Sequence, residues 1–309
     1  MNQENMQITV AICTYNGAQY LEEQLYSIMT QQRAPDQVVI SDDNSDDTTW
    51  SIIMEFQRKY PTIIEAHRQQ KNIGLNSNFA FVLSKTTGDY IAICDQDDIW
   101  YSNKLEIIEQ YITHNPTYNI FHHDENILGK KKNDTIIKER RFWLPYQESG
   151  VSIGFVFNRL TGHKVVLSRT LLQYILPIPE EVFYDWWIFV VAAIKGKTKY
   201  IDIPLMDYRM HSNSAYFSDV SKQLTHVTAP IKIALNAFSK IDGINELDKN
   251  NLTQLIALYE NHTAQKFDFK LFLFFLRKRN YLFKDFHTDE KGLVRQLFLV
   301  RLCRAFSKW

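Results

Sequence analysis

The chain has 309 residues, 45% of them hydrophobic, and its 35 basic and 35 acidic side chains leave a formal net charge of zero. That is ample apolar material for a full core, and the length alone suggests about two domains. A neutral chain without a clustered basic face excludes the electrostatic footprint of a nucleic-acid binder. Cys13, Cys94 and Cys303 are too few and too scattered for a disulfide framework or a zinc pattern. The opening MNQENMQITV lacks the basic-then-apolar layout of a signal peptide. No apolar run approaches the ~20 residues that span a bilayer, Leu271 to Leu276 included. A cytoplasmic location is the expectation.

In chain order, Ile8 to Cys13 is a β-branched apolar run that predicts a buried strand. Leu21, Leu25, Ile28 and Met29 mark a helix over Ala18 to Thr30. A second strand (Gln37 to Ile40) and a second helix (Thr48 to Tyr60, capped by Ser45 or Asp46) follow, then a third strand at Thr62 to Ala66. Asn76 to Lys85 reads as a helix, Tyr90 to Cys94 as a buried strand, and Ser102 to His114 as a helix that stops before Asn115-Pro116. Further on, Tyr118 to His123, Phe155 to Phe157 and Thr198 to Ile203 read as strands and Tyr184 to Lys195 as a helix. Lys130 to Arg141 reads as a charged loop, and the pattern from about Pro230 onward is helical. Alternating strands and helices predict an α/β fold with a mostly parallel sheet flanked by helices. Ligands in such sheets bind beyond the carboxyl ends of the strands.

Three strand ends carry polar or acidic groups: Thr14-Tyr15-Asn16-Gly17, Ser41 to Asp47, and Asp95-Gln96-Asp97-Asp98. Turn and cap chemistry accounts equally well for Asp43 to Asp47. It accounts poorly for three carboxylates within four residues next to a buried strand, because they repel unless something positive sits among them. Magnesium or manganese (Mg2+ or Mn2+) is the natural counter-charge, since hard cations take carboxylate and phosphate oxygens together. With the cation bound, an acidic rim attracts a diphosphate. Gly17 stands alone after the first strand, so neither a dinucleotide fingerprint nor a phosphate loop is present.

The stretches VAICTYNGAQYLEEQLYSI, VVISDDNSDDTT, NIGLNSNF and GDYIAICDQDDIWYSNKLE together resemble the glycosyltransferase family 2 enzymes, which have the GT-A fold, over about residues 6 to 215. The DQDDIW and NIGLNSNF forms look most like the subgroup containing bacterial rhamnosyltransferases. The resemblance implies a glycosyltransferase domain over residues 1–225, with a nucleotide-binding part (1–115) and an acceptor and catalytic part (116–225). A helical C-terminal extension covers 226–309. It implies that Thr14 and Asn16 line the base and ribose pocket, that Asp42 hydrogen-bonds the pyrimidine ring, and that Asn72, Gly74 and Asn78 form the nucleotide-contacting loop and helix start. Asp97 would be the direct metal ligand, Asp95 would lie nearer the ribose, and Asp98 would stand behind them.

Transfer with inversion needs a carboxylate that takes the acceptor hydroxyl's proton. In the resemblance that base is Asp185 of the Asp185-Trp186-Trp187 run, with Glu181 the fallback; a plain helix cap is the alternative. Gly162 and Trp186 would belong to the donor-sugar and acceptor side, with Asp124 a further acceptor contact. In Tyr208-Arg209-Met210-His211, Arg209 would face a phosphate and His211 would be a third metal ligand or an ordinary structural histidine. Adjacent His122 and His123 point to opposite strand faces and would not share a metal.

From Lys266 to Trp309 there are 11 basic and 4 acidic residues interleaved with Phe and Leu. That describes an interfacial helix on the inner membrane's cytoplasmic face, a helical cap on the domain, or a dimer contact. The expected partners are a dTDP- or UDP-sugar donor and a saccharide or lipid-linked saccharide acceptor in surface polysaccharide synthesis, either lipopolysaccharide or capsule. A nucleotidyltransferase, or a non-catalytic nucleotide-sugar-binding protein at the membrane, are the rival readings.

Overall fold

Buried apolar strands alternating with amphipathic helices build one eight-stranded sheet in the computed structural model, which describes residues 6–128, 131–132, 135–136, 152–156, 158, 160–211, 228–260 and 268–282. The first half runs β1 (Ile8–Thr14), α1 (Leu21–Met29), β2 (Gln37–Asp42), α2 (Thr49–Lys59), β3 (Ile64–Arg68), α3 (Leu75–Ser84) and β4 (Tyr90–Cys94). Every residue of β1 is buried. Its Ala11 and Cys13 pack in one core and its Val10 and Ile12 in another, so both faces of the sheet are covered. That double burial is why the run reads as continuously apolar rather than alternating.

The second half adds β5 (Ile99–Trp100), α4 (Lys104–His114), β6 (Ile120–Leu128) and a small hairpin of β7 (Lys131–Lys132) and β8 (Thr135–Ile136). Then come β9 (Val165–Ser168), α5 (Leu172–Ile175), α6 (Tyr184–Lys195) and β10 (Thr198–Arg209). The sheet order is β3-β2-β1-β4-β9-β6-β10-β5. β3, β2, β1 and β4 are mutually parallel, and β6 runs parallel to β10. β9 lies antiparallel between β4 and β6, and β5 antiparallel to β10. The expected mostly parallel sheet is therefore present with two reversed strands. The carboxyl ends of β1, β2, β4, β6 and β10 share one edge.

The expected strand at Phe155 to Phe157 is instead a 3-10 turn over Ser152–Phe155, with Phe157 outside the described residues. Gly154 lies close against Phe189 and Val190 of α6, and its carbonyl accepts the Trp186 indole N–H, so this segment packs on a helix rather than pairing with a strand. Most of the Lys130 to Arg141 loop, Arg159, Ser212 and Asn213 also lie outside the described residues.

Three helices follow: α7 (Thr228–Phe238), α8 (Glu246–Glu260) and α9 (Phe269–Leu282). Leu235 and Phe238 of α7, Leu252 and Leu255 of α8, and Leu271, Phe274 and Phe275 of α9 share one buried cluster with Trp186 and Trp187 of α6. Leu271, Phe274 and Phe275 of α9 are thus used in packing on the domain, whereas Phe269 is exposed. The basic tail beyond residue 282 lies outside the described residues. Among those described, no helix is long and apolar enough to cross a membrane.

Candidate active site

The loops after β1 and β2 are locked together at the carboxyl edge. Asp42, fully buried, accepts hydrogen bonds from Thr14 Oγ1 (3.0 Å) and the Ser45 backbone N–H (3.0 Å). Arg68 Nε lies 3.6 Å from Oδ2, the oxygen that takes the Ser45 N–H. Asn16 adopts a left-handed φ of 49°, a conformation its short polar side chain tolerates. Its Oδ1 accepts from Asp46 N–H at 3.0 Å, and its own N–H donates to Ser45 Oγ at 2.9 Å. Gln96, the middle residue of the acidic triplet, accepts from Tyr15 N–H (2.9 Å) and donates back to the Tyr15 carbonyl (3.1 Å). A Cβ at Gly17 would overlap that Gln96 amide, so the residue there must be glycine unless the amide moves.

Asp43 holds the next loop by accepting from the Ile73 N–H (2.7 Å) and Gly74 N–H (3.0 Å). Gly74 has a φ of 85°, and the Asn72 Oδ1 accepts from its N–H at 3.1 Å. Asn78 is buried, with its Nδ2 donating to the Ser41 carbonyl at 3.0 Å and its Oδ1 accepting from the Ser41 hydroxyl. Its amide is therefore spent on fixing α3 to β2. Neither Ser45 nor Asp46 caps α2: its N-cap is Thr48, without a side-chain cap bond, and Asp47 just before it accepts from the Thr49 N–H at 2.9 Å and the Ala18 N–H at 3.2 Å.

The 95–98 segment bends, so the two-residue spacing does not aim Asp95 and Asp97 at one partner. Asp95 meets His163 Nδ1 at 3.2 Å, whereas Asp97 meets His211 Nε2 at 2.8 Å. Asp98 is buried, accepts from the Arg209 backbone N–H at 3.2 Å, and has a second oxygen with no partner. Burial pushes Asp98 up to about 7. His163 is also buried, with Nε2 on Glu125 at 2.7 Å, and its ring stacks on Tyr208 with centroids 5.0 Å apart. Burial alone would lower its basicity, but Asp98, Glu125 and Asp95 outweigh that and raise it to about 10. Lys104 lies beneath, its Nζ 3.7 Å from the Trp100 ring centroid, and burial pulls it down to about 7.

The chain itself therefore supplies a cation among the three carboxylates. This stands beside the expected divalent counter-charge and does not replace it. The pairing of His163 with Asp95 and Glu125 was not legible because it depends on a loop and a strand meeting in three dimensions.

The donor set nevertheless fits a divalent cation. Asp95, Asp98 and His163 offer ligand atoms within 4.8 Å of one another. Asp97 and His211 form a second pair, and the buried His211 Nδ1 has no partner. Because both nitrogens of His163 already face carboxylates, the Asp97–His211 pair is the better placed to share a metal with phosphate oxygens. Arg209 is committed elsewhere: it donates to the Asp97 carbonyl (3.0 Å) and to Glu23 (2.6 Å) and lies over the Tyr20 ring. The buried pair His122 and His123 has separate surroundings, with His122 by the Tyr200 ring and His123 Nδ1–H donating to the Asp124 carbonyl.

Asp185 opens α6, partly exposed, with its Oδ1 accepting the Trp186 backbone N–H at 2.7 Å. Burial in its surroundings, with Asp95 adding to it, raises its carboxyl to about 6. The neighbouring Tyr184 ring stacks on Phe79 at 3.8 Å, and its hydroxyl lies so close to Gly162 that a Cβ there would overlap it. Trp186, expected on the sugar side, is instead buried, with its indole N–H on the Gly154 carbonyl (2.6 Å) and its ring against Phe238. Asp124, expected as an acceptor contact, has a partner within the fold. It accepts from the Tyr200 hydroxyl, and strand alternation turns its neighbour Glu125 toward His163.

Comparison with known proteins fits this geometry. A dTDP-rhamnosyl transferase, RfbG of Shigella flexneri, is 28% identical over 221 residues, covering 68% of this chain and 75% of its own. Residues 1–349 of S. aureus TarS in complex with UDP-GlcNAc superpose with a TM-score of 0.61 at 16% identity, covering 94% of this chain and 92% of theirs. Mannosyltransferase PcManGT from Pyrobaculum calidifontis, in complex with GDP-Man and Mn2+, gives a TM-score of 0.56 at 16% identity over 99% of this chain and 87% of its own. The shared fold is the GT-A arrangement of a curled α/β sheet with flanking helices. The family profile described as glycosyl transferase family 2 matches residues 9–176, more than half of the sequence, and the chain belongs to that family.

Proposed function

We propose that this transferase moves a sugar, with rhamnose the first candidate, from a dTDP- or UDP-linked donor to a hydroxyl of a saccharide or lipid-linked saccharide, with inversion. The observation that carries the reading is Asp185. It is a carboxyl raised to about 6 at a helix start, electrostatically coupled to Asp95 of the acidic segment. A carboxylate of that basicity is ionised near neutral pH and still able to accept a proton.

Thr14, Asn16 and Asp42 form the floor for the base and ribose, Asn72, Gly74 and Asn78 set the loop beside it, and Asp95 faces the ribose. Asp97 and His211 would hold Mg2+ or Mn2+. The cation, when bound, supplies charge stabilisation to the departing diphosphate. Asp185 Oδ takes the acceptor O–H proton as that oxygen bonds to the anomeric carbon and the bond to the diphosphate oxygen breaks. Nucleophile and leaving group lie on opposite faces, which is why base and metal pair belong to different elements, α6 and the 95–98 segment. Gly162, on the sugar side, admits the Tyr184 hydroxyl beside it. The setting is surface polysaccharide assembly in the cytoplasm, with the basic tail beyond residue 282 as the part that would touch the membrane.

The test is a screen of nucleotide sugars, dTDP-rhamnose first, for cation-dependent release of nucleoside diphosphate, with Asp185→Asn beside the unmodified chain. Transfer should vanish in the variant while donor binding remains. Near-normal turnover in Asp185→Asn, or pyrophosphate as the product, would refute the proposal.

A further inference from the structure

One side chain ties the donor side of the cleft to the segment that carries Asp185. Asn76 stands in the first turn of α3. Its Nδ2 lies 2.9 Å from the Pro179 carbonyl, 3.2 Å from that of Glu180 and 2.6 Å from that of Val182. Two amide protons thus serve three acceptors, one of them shared. Its Oδ1 accepts from the Tyr184 N–H at 3.1 Å. That N–H belongs to the first turn of α6, where no intrahelical acceptor exists. Asn76 therefore caps a helix from another element while pinning the segment that leads into it.

The rest of the 179–183 segment has little other anchorage. Val182 is buried, but Glu180, Glu181 and Phe183 are exposed. Three residues along α3 from Asn76, Phe79 stacks on Tyr184 with ring centroids 3.8 Å apart. The same helix start is bound to Asp43 through Ile73 and Gly74, and to β2 through Asn78. Nucleotide-side loop, α3, Asn76 and Asp185 thus form one mechanically continuous unit that avoids the acidic segment.

We infer that Asn76 is a positioning residue: it sets the proton-accepting Asp185 relative to the donor without touching either substrate. This rests on Asp185 being the base. Alanine at 76 would remove the side-chain donor from three carbonyls, of which Pro179 keeps the Val182 N–H at 3.5 Å, and would free the Tyr184 N–H, letting the start of α6 shift. A misplacement of about 1 Å at a reacting group can cost about a hundredfold in rate. Aspartate would keep an acceptor for Tyr184 but set a carboxylate against three carbonyl oxygens, which is worse than an empty space.

The experiment measures kcat and donor affinity for Asn76→Ala and Asn76→Asp, with hydrogen exchange of the segment spanning residues 179–187 as a readout independent of activity. The expected result is a kcat lowered about 10- to 100-fold in Asn76→Ala, and further in Asn76→Asp. Donor affinity should stay within about twofold, since the nucleotide contacts lie elsewhere, and exchange should quicken across 179–187 but not in β1 or β4. If Asn76→Ala does not fold, Asn76→Ser, which retains one donor, takes its place with an intermediate loss expected. Unchanged kcat, a parallel loss of donor affinity, or unaltered exchange in 179–187 would overturn the inference. A wild-type chain that transfers no sugar sinks the base assignment instead, and the exchange readout still decides whether Asn76 holds the segment.

Discussion

Substituting Asp185 by asparagine should make the protein more stable and inactive at once. In the folded chain the carboxyl is raised from its ordinary 3.8 to about 6. Ionisation therefore costs stability as the pH climbs between those values; the cost is absent well below the lower one and complete above the upper. At about 1.4 kcal/mol per pH unit, the full penalty is about 3 kcal/mol, and about 2 after allowing for the partly open side chain. Asparagine removes the charge but keeps an oxygen for the Trp186 N–H. Urea denaturation at pH 4.5 and 7.5 checks this through midpoints and slopes. Because part of the cost is already present at pH 4.5, above the lower value, the stability gap in favour of Asp185→Asn should widen by about 1 kcal/mol between the two. In the wild type, turnover should fall about tenfold per pH unit below about 6, as the base is protonated. A gap that does not change with pH, or a variant less stable than wild type at pH 7.5, would refute the reasoning, because either would mean that the charge is not held at a cost.

The imidazolium of His163 stands among Asp95, Asp98 and Glu125. His163→Gln should therefore cost about 3–5 kcal/mol, read as a melting point lowered by about 6–15 °C; a loss under about 1 kcal/mol contradicts that role. Asn251 is fully buried in α8 with neither side-chain atom bonded, so Asn251→Leu should gain about 1 kcal/mol in thermal denaturation, and a loss would show a missed partner. Gly162→Ala places a methyl into the Tyr184 hydroxyl, so it should displace the start of α6 and lower kcat more than tenfold, with full activity as the refuting result.

The strands β1, β2 and β4 were legible because burial on both faces makes them short, continuous apolar runs. The loops between them were legible through residue chemistry: Asn16, Asp42 and the Asp95 to Asp98 segment sit where strand ends had to bring them. β9 was missed because four residues without turn signals carry no period, and its reversed direction is set only by its neighbours. Glu125 went unread because the strand face it shares with His163 depends on pairing. β10 shifts register against β6 between Ile201 and Pro204 and again before Asp207, so alternation counted along one strand could not choose. Trp186 looked like a site residue by adjacency to Asp185, yet helical geometry sends successive side chains about 100° apart, and this one enters the core. Asn76 lay within the NIGLNSNF motif, but its role was not legible, since its partners are backbone groups of the distant 179–184 segment.

The central claim is that the acidic edge binds a sugar nucleotide through a divalent cation held by Asp97 and His211. Calorimetric titration of dTDP and UDP into the purified chain, with and without manganese, and into Asp97→Ala, tests it most directly. The account expects tight binding only with manganese and no manganese effect in the variant; equal binding without the cation, or none under any condition, would contradict it.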